Sequence, residues 1–359
     1  MNESPPKNID YVITSRQVIG NTFEVAPDAT PGPIRFLRVP RNVAVPTPDL
    51  ATKNARDLND WVREVRTLAD GDPNPHSISV AGDVLIFIHG YNNSLQLVMQ
   101  RQRQLAADLG SKDWKGLVVS FDWPSGDQTL AYWEDRSVAA ATALRLVSKG
   151  ITLLAKNQND GCATNVHLLA HSTGAYVVME AFAQAEKDGA LYKSAWRVSQ
   201  VAFISADVAS ASLSIADDWS APLFKRLVRL TNYSNGWDAV LAASNAKRLG
   251  VEPRAGRVGL PDNARPKAVN VDCTNYFAGL RPAQNAFASQ ELTFSHSWQF
   301  GDPLFALDLA MTLEGAADRN VIPTRAIANG KLSLVEGSRP ASMAAWNLKP
   351  PASLRPLDG

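Results

Sequence analysis

Residues Val166-His167-Leu168-Leu169-Ala170-His171-Ser172-Thr173-Gly174-Ala175 decide how this chain is read. An apolar run ends in a small-x-Ser-x-Gly turn, after which Ala175, Val178, Met179 and Phe182 fall on one helical face. Strand, tight turn and helix in that order form the setting in which a serine is held on a strained backbone with its hydroxyl outward. The residues two before and two after it must be small; Gly174 satisfies this fully, and Ala170 adds one methyl group. The following helix points its N-terminal amides at negative charge developing beside the serine. A serine that merely caps a strand–helix junction is the competing reading, and the complete frame favours the nucleophile.

Outward from this stretch, short β-rich runs alternate with longer helical segments. The runs are Val84–Ile88, Leu117–Phe121, Val166–Leu169, Gln200–Ile204 and Leu227–Asn232, with Ala268–Val271 as a sixth after a long loop. Near-continuous apolar strands are buried on both faces, and βαβ alternation makes a parallel sheet covered by helices. The fold class is therefore α/β, a doubly wound, mostly parallel sheet. Helices are expected from Ser94 to Gly110, from about Thr129 to Leu154, and up to Lys247–Arg248 before Gly250. Residues 1–50 hold eight prolines around Tyr11–Ser15 and Ile34–Val39, which read as edge strands joined by irregular loops. Apolar Leu58, Trp61, Val62, Val65 and Leu68 mark a helix within 52–69. The division expected is an N-terminal extension over 1–80, a catalytic domain over 81–315 and a Pro-rich tail over 316–359.

A serine nucleophile needs a base, almost always histidine, and the chain has five histidines. His76 lies upstream in a Pro-rich loop, His89 ends the first core strand, and His167 and His171 are too close to Ser172 in sequence to swing back onto it. His296 remains, on a loop after the last strand, where the chain order Ser, acid, His places the base. His167 and His171 are four apart, a metal-ligand spacing on a helix. On a strand, at about 3.3 Å per residue, they stand ~13 Å apart, so no metal site is expected; His167 reads as a core residue and His171 as a hydrogen-bonding group beside the serine. The acid should follow a strand between Ser172 and His296. Asp238, after the second strand beyond the nucleophile, is preferred over Asp207, after the first; the competing reading of Asp238 is a simple cap of the helix Ala239–Arg248. The oxyanion hole should be built from the backbone amides of Thr173 and Tyr91, with Gly90 allowing close approach.

Phe87-Ile88-His89-Gly90-Tyr91-Asn92-Asn93, Phe121-Asp122-Trp123-Pro124-Ser125, Tyr132 with Asp135-Arg136, and Ala170-His171-Ser172-Thr173-Gly174 together resemble the α/β-hydrolase fold. More narrowly they are similar to a mostly bacterial esterase/lipase-superfamily branch of unknown function. The resemblance covers residues 83–240 and thins beyond. It implies a serine hydrolase, without supplying a substrate. That branch usually has Met where this chain has Thr173, a position that contributes its backbone N–H.

Trp123, Tyr132, Trp133, Trp237 and Trp298 fall on loops expected at the C-terminal edge of the sheet, where open α/β folds bind ligands. Of these, Trp123, Tyr132, Trp237 and Trp298 are the candidates for lining an apolar cleft that takes a small-molecule ester or acyl substrate. An amidase, thioesterase or lactonase would use the same residues, and a non-catalytic binding protein is the alternative of a different kind. No glycine-rich dinucleotide loop or Walker sequence occurs, so no cofactor is expected. With 36 basic and 35 acidic residues, the net charge of +1 gives no footprint for nucleic acid. No uncharged apolar run reaches the ~20 residues of a membrane span; Ser137–Ala155 carries Arg145 and Lys149 and reads as a packed helix. The N-terminal residues lack a basic-then-apolar leader pattern, so a cytoplasmic location is expected. Cys162 and Cys273 should sit at opposite edges of the sheet as free thiols.

Overall fold

The computed structural model describes residues 8–26, 30–70, 83–126, 132–155, 165–246, 252–280, 291–315 and 319–339. Its strands are Ile9–Thr14 (β1), Gln17–Ile19 (β2), Thr22–Glu24 (β3), Arg35–Pro40 (β4), Asp83–Ile88 (β5), Leu117–Asp122 (β6), Asn165–His171 (β7), Val198–Ile204 (β8), Leu227–Ser234 (β9), Ala268–Asp272 (β10), Arg325–Ala328 (β11) and Lys331–Leu334 (β12). Ten of them form one sheet in the order β11-β12-β10-β9-β8-β7-β5-β6-β1-β4, and β2 and β3 pair separately. From β12 to β1 every pairing is parallel; the two outer pairs, β11–β12 and β1–β4, are antiparallel.

The alternation of side chains explains why the sheet is covered on both faces. Along β5, Val84, Ile86 and Ile88 enter one apolar layer, while Leu85 and Phe87 enter the other. β7 does the same, with Val166, Leu168 and Ala170 on one side and Leu169 on the other. The first layer is closed by helices Ala55–Asp70, Tyr132–Arg145 and Gly174–Lys187, and the second by Leu95–Gly110 and Pro303–Glu314. Ser94 caps Leu95–Gly110 by accepting from the Leu97 amide at 3.2 Å. The helix Tyr132–Arg145 continues through a π turn, Leu146–Ile151, into Thr152–Ala155. Ser137–Ala155 is long and apolar enough to cross a membrane by length and composition alone, yet more than half of it is buried against the sheet.

Both ends of the described chain add strands to the sheet. β1 pairs with β6 in parallel, with Thr14 opposite Asp122, so that of β1 and β4 only β4 lies at the edge of the ten-stranded sheet. At the other edge, β11 and β12 turn through Asn329 and Gly330, both at positive φ (52° and 75°). This hairpin is tied down by Arg325, which bonds Asp308 at 2.6 Å and 2.9 Å in a fully buried pair that Tyr233 and Thr324 complete. Residues 340–359, with most of the tail's prolines, lie outside the described residues, as do the expected helix end at Lys247–Arg248 and Cys162. Cys273 is buried and unbridged.

The topology selects one place for a site. From β5 the chain moves outward to β6, and from β7 it moves outward to β8 on the other side. The loops after β5 and β7 therefore diverge, leaving a crevice at the C-terminal ends of these adjacent strands, where ligands bind in open α/β sheets.

Candidate active site

Ser172 sits at that crevice. Register Ile88–Ala170 and His171–Ile204 brings the ends of β5, β7 and β8 level, so the serine emerges between two neighbouring loops. Its φ is +56°, in the left-handed region that non-glycine residues rarely occupy. Three backbone bonds hold it there: its amide donates to Ile204 O at 3.1 Å, and its carbonyl accepts from Ala175 and Asp207 amides, each at 3.1 Å. Strain maintained by surrounding bonds in this way is a property of functional turns. Gly174 is dictated by space: a Cβ there would lie 2.4 Å from Ile88 O and 2.8 Å from His89 O. The helix Gly174–Lys187 thereby starts directly against the end of β5. Among the described residues Ser172 Oγ has no hydrogen-bond partner; catalytic hydrogen bonds commonly tighten only when substrate arrives.

The loop after β5 approaches the serine from the other side. A Cβ on Gly90 would lie 2.7 Å from Ser172 Cβ, so this position too admits only glycine. Asn93 staples the loop, its side-chain amide donating to Gly90 O at 2.9 Å and to Tyr91 O at 2.7 Å. His89 anchors its start: Nδ1 faces Gly90 O at 2.8 Å, and Nε2 faces Asp122 Oδ1 at 3.0 Å. Burial alone would raise the Asp122 carboxyl, but Arg16 and His89 outweigh it and bring its pKa down to about 2. Arg16 bonds Asp122 through Nε at 2.9 Å and reaches Asn93 O at 2.7 Å. The N-terminal strand β1 thus helps hold the loop beside the nucleophile. On the nucleophile side, the Thr173 amide has no hydrogen-bond acceptor among the described residues, and Thr173 is the N-cap of the helix that begins at Gly174.

His296 belongs to a helix, Glu291–Ser297, and not to the loop expected from the sequence. The structure brings it to Asp238: His296 Nδ1 lies 2.8 Å from Oδ2 and 3.0 Å from Oδ1 of a completely buried carboxylate. With Nδ1 donating, Nε2 carries the lone pair. Asp238 also caps the helix Ala239–Ala246 by accepting from the Leu241 amide at 2.9 Å. Capping and pairing with histidine, posed as alternatives by the sequence, coexist on one side chain. Asn235 Nδ2 donates to Ser295 O at 3.1 Å, and Ser295 Oγ accepts from the Ala239 amide at 3.2 Å, so the loop after β9 also fixes the histidine's helix. Asp207 is committed elsewhere, accepting from Ser244 Oγ at 2.9 Å and facing Arg254 Nε at 3.5 Å.

His171 is the link between the two halves. Its Nε2 lies 2.9 Å from His296 O, and the two rings have centroids 4.9 Å apart. His296 is thereby held beside the residue that immediately precedes Ser172. His167 is a core residue whose Nδ1 accepts from the Gln200 amide at 3.2 Å. Among the described residues no cluster of histidine, cysteine and acidic side chains has the arrangement of a metal site.

A family model described as "Alpha/beta hydrolase of unknown function (DUF900)" matches residues 75–290, more than half of the chain. The chain belongs to this family of alpha/beta hydrolases. Among solved structures, the DUF900 chain is similar to an inhibited esterase B from Lactobacillus rhamnosis, at 13% identity over 88% of this chain and 89% of that one, with TM-score 0.39. It is also similar to a metagenomic carboxyl esterase (11% identity, 69% and 80% coverage, TM-score 0.33) and to a putative hydrolase from Agrobacterium vitis S4 (12%, 53% and 78%, TM-score 0.29). No curated protein matches it in sequence.

The aromatic candidates separate in this alpha/beta hydrolase. Trp123 is fully buried, stacked on His89 at 5.6 Å with its indole N–H on His89 O, and it presents no surface to a ligand. Trp298 is 3% exposed and packs among Tyr276, Phe277 and Phe305. Both are core residues: Trp123 follows β6 and Trp298 follows the helix Glu291–Ser297, and each ring turns into an apolar layer on one side of the sheet. Trp237 is 48% exposed on the loop that carries Asp238. The side chains of Tyr132 and Trp133 lie outside the described residues.

Arg101, Asn93 and Asn235 escaped the sequence reading. Asn93 was at least visible within the quoted His89–Asn93 motif. Arg101 sits in the middle of an amphipathic helix and carries no local mark of its role.

Proposed function

We propose that this protein is a serine hydrolase that cleaves a carboxylic ester through an acyl-enzyme intermediate. Ser172 Oγ attacks the ester carbonyl as His296 Nε2 takes its proton. Asp238 holds the imidazole with Nδ1 as donor and stabilises the imidazolium without accepting its proton. The carbonyl oxygen becomes an oxyanion received by the amides of Tyr91 and Thr173. Collapse expels the alcohol, which takes the proton from His296. Water then repeats the sequence with the acyl-enzyme, releasing the carboxylic acid and regenerating Ser172.

The observation that supports this reading is the buried Asp238–His296 pair, whose histidine is tied through its backbone carbonyl to His171, the residue before a serine strained to a φ of +56°. A capping serine needs neither the strain nor an imidazole oriented by a buried carboxylate. Trp237, exposed beside the acid, is the residue offered for contact with the substrate's apolar portion.

The test is hydrolysis of nitrophenyl esters of increasing acyl length, with matched thioesters, lactones and anilides, by wild type and Ser172→Ala. Ester turnover that disappears in the variant supports the reading. Preference for the thioester, lactone or anilide series would keep the mechanism and replace the substrate class. Turnover unchanged in Ser172→Ala would refute it.

A further inference from the structure

Arg101 lies where three segments of the site meet. From the helix Leu95–Gly110, its Nη1 donates to Asn93 Oδ1 at 2.9 Å and to His171 Nδ1 at 3.3 Å, while Nη2 donates to Ser297 Oγ at 3.1 Å. One side chain thus touches the loop after β5, the residue before the nucleophile and the residue after the histidine paired with Asp238. The guanidinium also lies over Phe300 at 5.0 Å, and Phe300 meets His171 edge-on at 5.5 Å.

These contacts dictate the state of His171 from both sides. The His296 carbonyl only accepts, so Nε2 carries the proton; a guanidinium only donates, so Nδ1 carries the lone pair. Protonating His171 would turn an N–H at Nδ1 toward the N–H of Arg101. Groups facing this ring come from every surrounding element: Arg101 from Leu95–Gly110, His296 from Glu291–Ser297, and His89 from the end of β5. Burial first, then the charges of Arg101 and His296, push the His171 pKa well below the ordinary histidine range. No described carboxylate pairs with Arg101, and burial lowers its own pKa to about 10. Two imidazolium rings with centroids 4.9 Å apart would repel, so a charged His171 would oppose proton uptake by His296.

We propose that Arg101 is a positioning residue: by joining Asn93, His171 and Ser297 it holds His171 as the neutral donor to the His296 carbonyl and so fixes the base beside Ser172. The inference rests on the reading of His296 as the base.

The experiment follows the rate of fluorophosphonate labelling at Ser172 across pH for wild type, Arg101→Met, Arg101→Lys and the double variant Arg101→Met with His171→Gln. Imidazole ¹⁵N spectra of the wild type accompany it. Arg101→Met is expected to slow labelling at neutral pH by about tenfold or more, the scale of lost positioning around a general base. Its acid limb should move to higher pH and steepen as His171 begins to titrate with His296. Adding His171→Gln should return the limb to the wild-type position without restoring the rate, and Arg101→Lys, which keeps the charge but cannot bond three acceptors in the same plane, should slow labelling with an unmoved limb. Arg101→Met with a wild-type limb, at any rate, would overturn the proposal. If that variant does not fold, the wild-type spectra decide: His171 must be the Nε2–H tautomer and stay neutral through the acid limb, and an Nδ1–H tautomer or ordinary titration overturns it. Labelling in wild type with an indifferent Arg101 variant removes this inference alone, whereas no labelling in wild type removes the hydrolase reading as well.

Discussion

Asp238 accepts His296 Nδ1 through both carboxylate oxygens, at 2.8 Å and 3.0 Å, while one of those oxygens also caps the helix Ala239–Ala246. Asparagine is as good a helix cap as aspartate, but its amide cannot accept from Nδ1 through both atoms or stabilise an imidazolium. Asp238→Asn should therefore keep the fold and lose about 10³–10⁴-fold in kcat. Asp207→Asn should behave in the opposite way, keeping near-wild-type kcat and losing about 1–3 kcal/mol of stability as the buried Arg254 loses one of the charges it faces. Steady-state kinetics and urea unfolding of both variants separate the two carboxylates; activity retained in Asp238→Asn and lost in Asp207→Asn would exchange their roles.

Space at Gly174 is set by backbone, not by movable side chains. A methyl group there meets Ile88 O at 2.4 Å, so the elbow must open or the helix must retreat from β5. Gly174→Ala should cost about 2 kcal/mol or more, within the range of overpacked cores, and should depress labelling of Ser172 even in the folded fraction. Wild-type stability and labelling would show that the close approach is not required.

The tryptophans should divide by burial. Trp298→Ala and Trp123→Ala should each destabilise by about 3–5 kcal/mol with an unchanged order of preference across an acyl-length series. Trp237→Ala, at an exposed position, should change KM for longer acyl groups with little change in melting temperature. A specificity change in Trp298→Ala would place that ring in the cleft.

Asp122 gives the fold a defined acid dependence. Its folded pKa is about 2, below the ordinary 3.8, so its contribution is fully present above pH 4 and fades as pH falls toward 2. That difference corresponds to about 2 kcal/mol. Removing the charge should therefore matter less in acid: the gap in unfolding free energy between wild type and Asp122→Asn should be widest above pH 4 and shrink toward pH 2. A gap independent of pH in urea titrations would contradict the assignment to Arg16 and His89.

What the sequence revealed depended on how local the constraint was. The turn at Ser172 is legible because its requirements, a small residue on either side and a strand and helix flanking it, fall within a few positions. His296 was reachable by counting histidines, and Asp238 by its strand. The helix carrying His296 was hidden because its short span follows a long segment with no strong periodicity, and it is held by contacts to Asn235 and Ala239, some sixty residues away. The hairpin β11–β12 had a readable signature, since Asn329-Gly330 suits a two-residue turn with both residues at positive φ, yet the surrounding prolines suggested a tail. The clamp formed by Arg101 was not legible at all: its partners at Asn93, His171 and Ser297 are assembled only by the packing of three separate elements.

The central claim is that Ser172 is a nucleophile activated by His296. Intact-mass and peptide-mass analysis after exposure to a fluorophosphonate tests it most directly. The account predicts one phosphonate adduct in wild type, located on the peptide containing Ser172, and none in Ser172→Ala. An unmodified wild type, or equal labelling of the alanine variant, would contradict it.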